Sequence, residues 1–210
     1  MRALDGAIES VTIKKNGEIS VKTIGKQPPI GICGSGIIEA VAELLRVGII
    51  SKDGYMLSKK EAKMAGINTA LCQRIHEKME KKAFCLVDGT IFITQEDIRE
   101  IQLAKGAIAA GMKTLLQEMN KTIEEIEEIL VAGAFGSYLD KKAARAIGLF
   151  PHISLEKIKM IGNTASIGAV KALLSEKVKE KALKLSEEAI FVELASHSEF
   201  HENFLTSLNF

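Results

Sequence analysis

Two short apolar runs, each closed by glycine, constrain this chain more than any other feature. Ile129-Leu-Val-Ala132 runs into Gly133-Ala-Phe-Gly136, and Lys157–Ile161 runs into Gly162-Asn163. An uninterrupted apolar run of this length suits a strand buried on both faces. A helical pattern follows each: about Leu139 to Ile147, stopped by Gly148 and Pro151, and then Ala165–Leu174. Such alternation implies parallel strands covered by helices. Ligands of open α/β sheets sit beyond the carboxyl ends of the strands. Glycine there lets a flat ring or a phosphate approach the backbone, and the next helix supplies N–H groups and positive dipole charge. Gly133, Ala134, Phe135, Gly136, Gly162 and Asn163 are therefore the first candidate site, a platform beside an adenosine. One such turn alone reads as tight packing. Two on neighbouring strands bring the packing and ligand readings level.

Upstream, Val11–Lys14 and Ile19–Ile24 flank Asn16-Gly17, a hairpin signal. Pro28-Pro29 breaks the chain, and Gly31-Ile-Cys-Gly-Ser-Gly36 then enters a helix with an apolar face from Ile37 to Leu45. Gly48 stands just past its end. The glycine loop has neither the Walker lysine nor the third glycine of a dinucleotide fingerprint. A packing role is preferred for Gly34 and Gly36, with Gly34 and Ser35 as candidate nucleotide contacts. Residues 50–82 are polar and mixed and read as a surface excursion with a short helix at Lys59–Ala65. Phe84–Val87 and Thr90–Ile93 flank Asp88-Gly89, a second hairpin.

Thr94-Gln-Glu-Asp97 resembles a capping box and opens a helix of roughly 25 residues, enough at about 1.5 Å each to cross a domain. Gln102 and Lys105 share one of its faces. Lys105 is a point charge for a phosphate or ribose, against the plainer reading of a solvated helix face. Thr122–Glu128 reads as a short acidic helix, 176–187 as another, Ile190–Val192 as a strand, and the segment with Phe200 and Phe204 as a last helix. Hairpin, long helix, then strand–helix–strand–helix is a ribonuclease-H-like pattern: α/β, a mixed sheet with helices on both faces.

Composition removes several classes of function. The 210 residues carry a net charge of +1, so no field favours nucleic acid or an anionic membrane. Aromatic content of 5% without Trp leaves few platforms for stacking single strands. No apolar stretch reaches membrane-spanning length, and the N-terminus lacks a signal peptide's apolar core. Cys33, Cys72 and Cys85 are odd in number and widely spaced, which suggests a reducing, cytoplasmic compartment. With no Cys-x-x-Cys, this chain alone is not expected to bind an iron–sulfur cluster. The four histidines form no metal spacing and no Ser-His-Asp logic is visible.

Several segments taken in order resemble a known family. They are Met1-Arg-Ala with Gly6-Ala-Ile-Glu9, Gly31–Gly36, Ile93-Thr-Gln-Glu-Asp-Ile-Arg99 and Gln102-Leu-Ala-Lys105. Val131-Ala-Gly-Ala-Phe-Gly136, Ile147-Gly-Leu-Phe-Pro151, Gly162-Asn163 with Gly168-Ala169, Glu193-Leu-Ala195 and Phe200–Phe210 continue the match. The chain is similar to the C-terminal part of the reductive activators of corrinoid proteins, iron–sulfur ATPases of the actin, sugar-kinase and heat-shock ATPase superfamily. By that resemblance Val131–Gly136 is the adenosine motif, and Gly162–Ala169 and Gly31–Glu39 are the connecting motifs. Asp88 and Thr90, at the second hairpin's tip, take the place of a phosphate and Mg²⁺ motif, though the usual Asp-x-Gly-Gly is missing. The resemblance divides the chain into a remnant of the first lobe with its connecting helix (1–50), a connector (51–82) and a second lobe (83–210).

What it implies is binding of ATP with Mg²⁺, a corrinoid protein as partner, a homodimer, and return of Co(II) corrinoid to Co(I) for methyl transfer. The iron–sulfur cluster would belong to an N-terminal part. The Asp-x-Gly-Thr phosphate motif and ferredoxin-like domain are not in these residues, so the chain is expected to start inside the ATPase domain and to be inactive alone. Two other readings stand beside it: a small-molecule kinase of the same superfamily, and a non-catalytic interaction or dimerisation module.

Overall fold

Alternating apolar residues and one glycine turn build the first hairpin. Strands β1 (Ala7–Ile13) and β2 (Ile19–Thr23) pair antiparallel with Val11 opposite Val21 and Ile13 opposite Ile19. Gly17 adopts φ 84° in the turn, where Lys14 N–H donates to Glu18 O at 2.9 Å. The chain is described over residues 1–78, 81–133 and 138–210 of a computed structural model. β3 (Gly31–Ile32) lies parallel to β1, and α1 (Gly34–Arg46) follows at once and packs on β1. Two carboxylates of α1 serve that strand's backbone: Val11 N–H donates to Glu39 at 3.0 Å and Ile13 N–H to Glu43 at 2.6 Å. Edge amides that would otherwise invite a foreign strand are thereby satisfied within the chain.

The stretch expected as a polar excursion carries more structure than one helix. It forms α2 (Lys59–Met64, with a Ser58/Glu61 capping box), α3 (Thr69–Gln73) and β4 (Ile75–Lys78). Met56, Ala62, Leu71 and Cys72 are buried in the same apolar core that holds Ile8, Phe84 and Ile158. These apolar residues are scattered among lysines, so no local period announces them. β4 pairs with β5 (Lys81–Val87), which pairs with β6 (Ile91–Thr94), all antiparallel. Among the described residues this hairpin belongs to a sheet of its own rather than to the parallel strands.

α4 (Gln95–Glu118) opens with the expected box: Thr94 Oγ1 accepts from Asp97 N–H, and Asp97 Oδ2 accepts from Thr94 N–H at 2.8 Å. The acidic helix expected at Thr122–Glu128 is instead a turn, with Thr122 N–H bonded to the Glu125 carboxylate at 2.8 Å. Glutamates at 124, 125, 127 and 128 would repel across a helical turn.

β7 (Ile129–Ala132) and β8 (Ile158–Gly162) are parallel, with α5 (Lys141–Ala146) between them in sequence and packed on α1. Their burial alternates, which corrects the expectation of strands covered on both faces: Leu130 is 58% and Ile161 37% exposed. Among the described residues nothing covers that second face. α6 (Thr164–Leu174) and α7 (Glu176–Glu188) pack chiefly on each other and bury no residue fully. Ile190 and Phe191 are exposed and form no strand. α8 (Phe200–Thr206) returns to lie along α4, where the absent side chain of Gly106 admits Ser207 O and Leu208.

Candidate functional site

The two glycine corners lie side by side. Ala132 pairs with Gly162 across the strands, and Gly133 N–H donates to Gly162 O at 2.8 Å. Both adopt left-handed φ, 81° and 67°, a conformation that favours glycine. Among the described residues, chain neighbours aside, no atom lies within 4 Å of where a Gly133 Cβ would stand. Asn163 caps α6: its Oδ1 accepts from Ser166 N–H at 3.2 Å and its Nδ2 donates to Ser166 Oγ at 2.9 Å. Thr164 and Ala165 fill the first turn, where backbone N–H groups have no intrahelical acceptor. Ala134, Phe135 and Gly136 lie outside the described residues.

The N-terminus of α1 meets the segment that follows the first corner. Gly34 and Ser35 line a cavity of about 200 Å³ with Glu9, Cys33, Tyr138 and Leu139. Cys33 Sγ donates to Ile8 O at 3.2 Å and stands 3.3 Å from Ser35 Oγ. A second cavity, wholly apolar and about 290 Å³, has Gly34, Val131 and Leu139 in its wall. The start of α1 thus borders common space with Val131, Tyr138 and Leu139, which flank the first corner, while Gly133, Gly162 and Asn163 line neither cavity. Tyr138 and Glu9 are wall residues that periodicity did not single out.

Gln102 and Lys105 are placed differently. Gln102 is 3% exposed; its Nε2 donates to Asp53 O and Leu208 O, both at 3.0 Å. Lys105 is equally buried; its Nζ donates to Asn209 O, while its stem borders the apolar cavity. Both donate to carbonyls of the C-terminal segment, and Gln102 also to the 53 turn, while its Oε1 accepts from Arg99 Nη1. Neither forms the solvated face that was the plainer reading. Burial and then the charge of Lys113 push the Lys105 ammonium down to about 8.

Asp88 sits at the exposed tip of the β5–β6 hairpin in an ion pair with Arg74 at 2.9 Å, and Thr90 Oγ1 donates to Val87 O at 3.4 Å. That tip belongs to the separate sheet and lines none of the cavities named here. Among the described residues no three His, Cys, Asp or Glu side chains are grouped to hold a metal. Cys33, Cys72 and Cys85 are free and buried, so these residues do not fit an iron–sulfur cluster. Glu9 lines the cavity at α1, and a single carboxylate with nucleotide phosphates suits Mg²⁺. Among the described residues no helix is long and apolar enough to cross a membrane.

Adjacent glycine corners at the carboxyl ends of parallel strands, the second opening directly into a helix, place this lobe among the α/β folds whose ligand crevice lies beyond the strand ends. The chain belongs to a particular family of that class: residues 1–210 match the family model described as the C-terminal domain of RACo, the ASKHA domain. It is similar to the corrinoid activation enzyme RamQ of Eubacterium limosum, 35% identical over 216 residues, covering 100% of this chain and 36% of the relative. It also resembles the Co(II) methylated amine-specific corrinoid protein reductase of Methanosarcina barkeri, 30% identical over 186 residues, covering 86% of this chain and 29% of the relative. Among solved structures it is similar to a reductive activator for corrinoid, iron–sulfur protein, with TM-score 0.85 and 35% identity over 100% of this chain and 33% of that one. The chain therefore spans about a third of the length of these relatives. Its fold is that of an actin-like ATPase domain.

Proposed function

We propose that this chain is the adenosine-holding part of an ATP-dependent reductive activator that returns Co(II) corrinoid proteins to Co(I). The observation that carries the reading is the Gly133 N–H to Gly162 O hydrogen bond, which sets two glycine corners together. The purine stacks against this glycine surface, and the phosphates extend toward Gly34 and Ser35 at the start of α1. Glu9 is the carboxylate of this chain placed for a Mg²⁺ carried on those phosphates. ATP supplies differential binding energy that biases the protein toward the conformation competent for reduction. The electron comes from an iron–sulfur cluster held outside these residues. The same reading gives the protein a corrinoid protein as partner, a homodimeric assembly and a cytoplasmic location, the last supported by three free thiols.

Calorimetry of the intact protein with ATP and Mg²⁺ tests this through Gly133→Asn. Asparagine tolerates positive φ better than most residues, so the fold is kept while its side chain enters the first corner. ATP affinity is expected to fall about tenfold or more, a loss of about 1.4 kcal/mol, with thermal stability little changed. Undiminished affinity in that variant would remove the corner from the site.

A further inference from the structure

A third cavity, about 520 Å³, has Lys105, Lys113, His152, Phe150 and Phe210 in its wall. Its wall residues Gly148, Phe150, Pro151 and His152 follow α5, and it holds neither Gly133 nor Gly162. Lys105 and Phe150 also border the apolar cavity that Gly34 and Val131 line, so the two cavities share a wall.

Lys105 Nζ donates to the carbonyl of Asn209, and Lys113 Nζ donates to Ser207 Oγ at 3.0 Å. Both acceptors are neutral, and among the described residues neither ammonium is in an ion pair. Glu124, the carboxylate in the wall, is exposed and hydrogen-bonded to its own backbone and Thr122. A buried ammonium without an anion is costly, and a second like charge nearby adds to the cost. The strain shows in the lowered pKa of Lys105, for which burial and then Lys113 are responsible. An anion entering between the two ammoniums relieves both effects. The rest of the wall is aromatic: the Phe210 ring centroid stands 5.5 Å from Lys105 Nζ, and Phe150 is buried beside it. The volume is that of a small-molecule site.

We propose that this cavity binds a small phosphate monoester, its phosphoryl group between Lys105 and Lys113 and its apolar part against Phe150 and Phe210. A phosphate dianion matches two ammoniums in charge, and charge-assisted hydrogen bonds are the strong kind. Neither glycine corner nor the start of α1 is in this wall, so the ligand binds alongside ATP rather than in its place.

The test titrates phenyl phosphate into the intact protein held at saturating non-hydrolysable ATP analogue, followed by calorimetry. Saturable binding is expected, weakened about tenfold by Lys113→Gln, the loss of one charge-assisted contact. Lys113 is only half-buried with one hydrogen bond, so this variant keeps the fold, whereas Lys105→Met also releases Asn209. Absence of saturable binding, equal affinity in Lys113→Gln, or displacement of phenyl phosphate by the ATP analogue would each overturn the proposal.

Discussion

Alanine in place of Gly36 is expected to lower the unfolding free energy by about 3 kcal/mol, the upper end of what overpacking costs. A Cβ at this position would stand well under 3.0 Å from the Ile8 carbonyl oxygen, 2.9 Å from its carbon and 3.0 Å from Ile32 Cγ1. Two of those three atoms are backbone and cannot swing aside. Either α1 or β1 must move, and moving either strains the hydrogen bonds from Val11 and Ile13 to Glu39 and Glu43. The sign makes the test sharp. In a helix free of such contact, glycine to alanine stabilises by about 1 kcal/mol. Urea unfolding that shows Gly36→Ala as stable as the parent, or more so, would mean that α1 does not lie this close to β1. Displacement of α1 would also shift Gly34 and Ser35, so nucleotide affinity should fall together with stability.

Gln102→Leu is expected to cost about 2–4 kcal/mol, since leucine nearly matches glutamine in size yet leaves buried polar groups unmet. Three hydrogen bonds vanish: those to Asp53 O and Leu208 O, and one accepted from Arg99 Nη1 at 2.7 Å. The side chain also fills the space beside Gly54, where any Cβ would collide with it. The loss should concentrate at the C-terminal segment. Faster amide exchange is expected across residues 203–210, where only the side-chain bonds of Lys105, Lys113 and Asn203 would then be left to α4. A Gln102→Leu protein of unchanged stability but weakened ATP binding would assign this residue to the nucleotide rather than to the tail.

Local signals were legible in the sequence, and long-range ones were not. Asn16-Gly17, Asp88-Gly89 and the Thr94–Asp97 box each set their own turn or cap, and the hairpins and α4 formed where those residues stand. The adjacency of Gly133 and Gly162 followed from two strands that end alike and pair in parallel. The partners of Gln102 and Lys105 lie about a hundred residues downstream, where no helical period points. The helix face they occupy read as solvated because its cover, α8 and the last residues, is invisible to a local window. The buried residues of 56–72 were missed for the same reason. Thr122–Glu128 shows the opposite error: a capping pattern outweighed by four close glutamates.

A crystal structure of the intact protein with Mg²⁺ and a non-hydrolysable ATP analogue tests the central claim most directly. The account predicts the purine ring against the backbone of Gly133 and Gly162, with the phosphates running toward Gly34 and Ser35. A nucleotide seated elsewhere, or side chains filling the space between those two glycines, would contradict it.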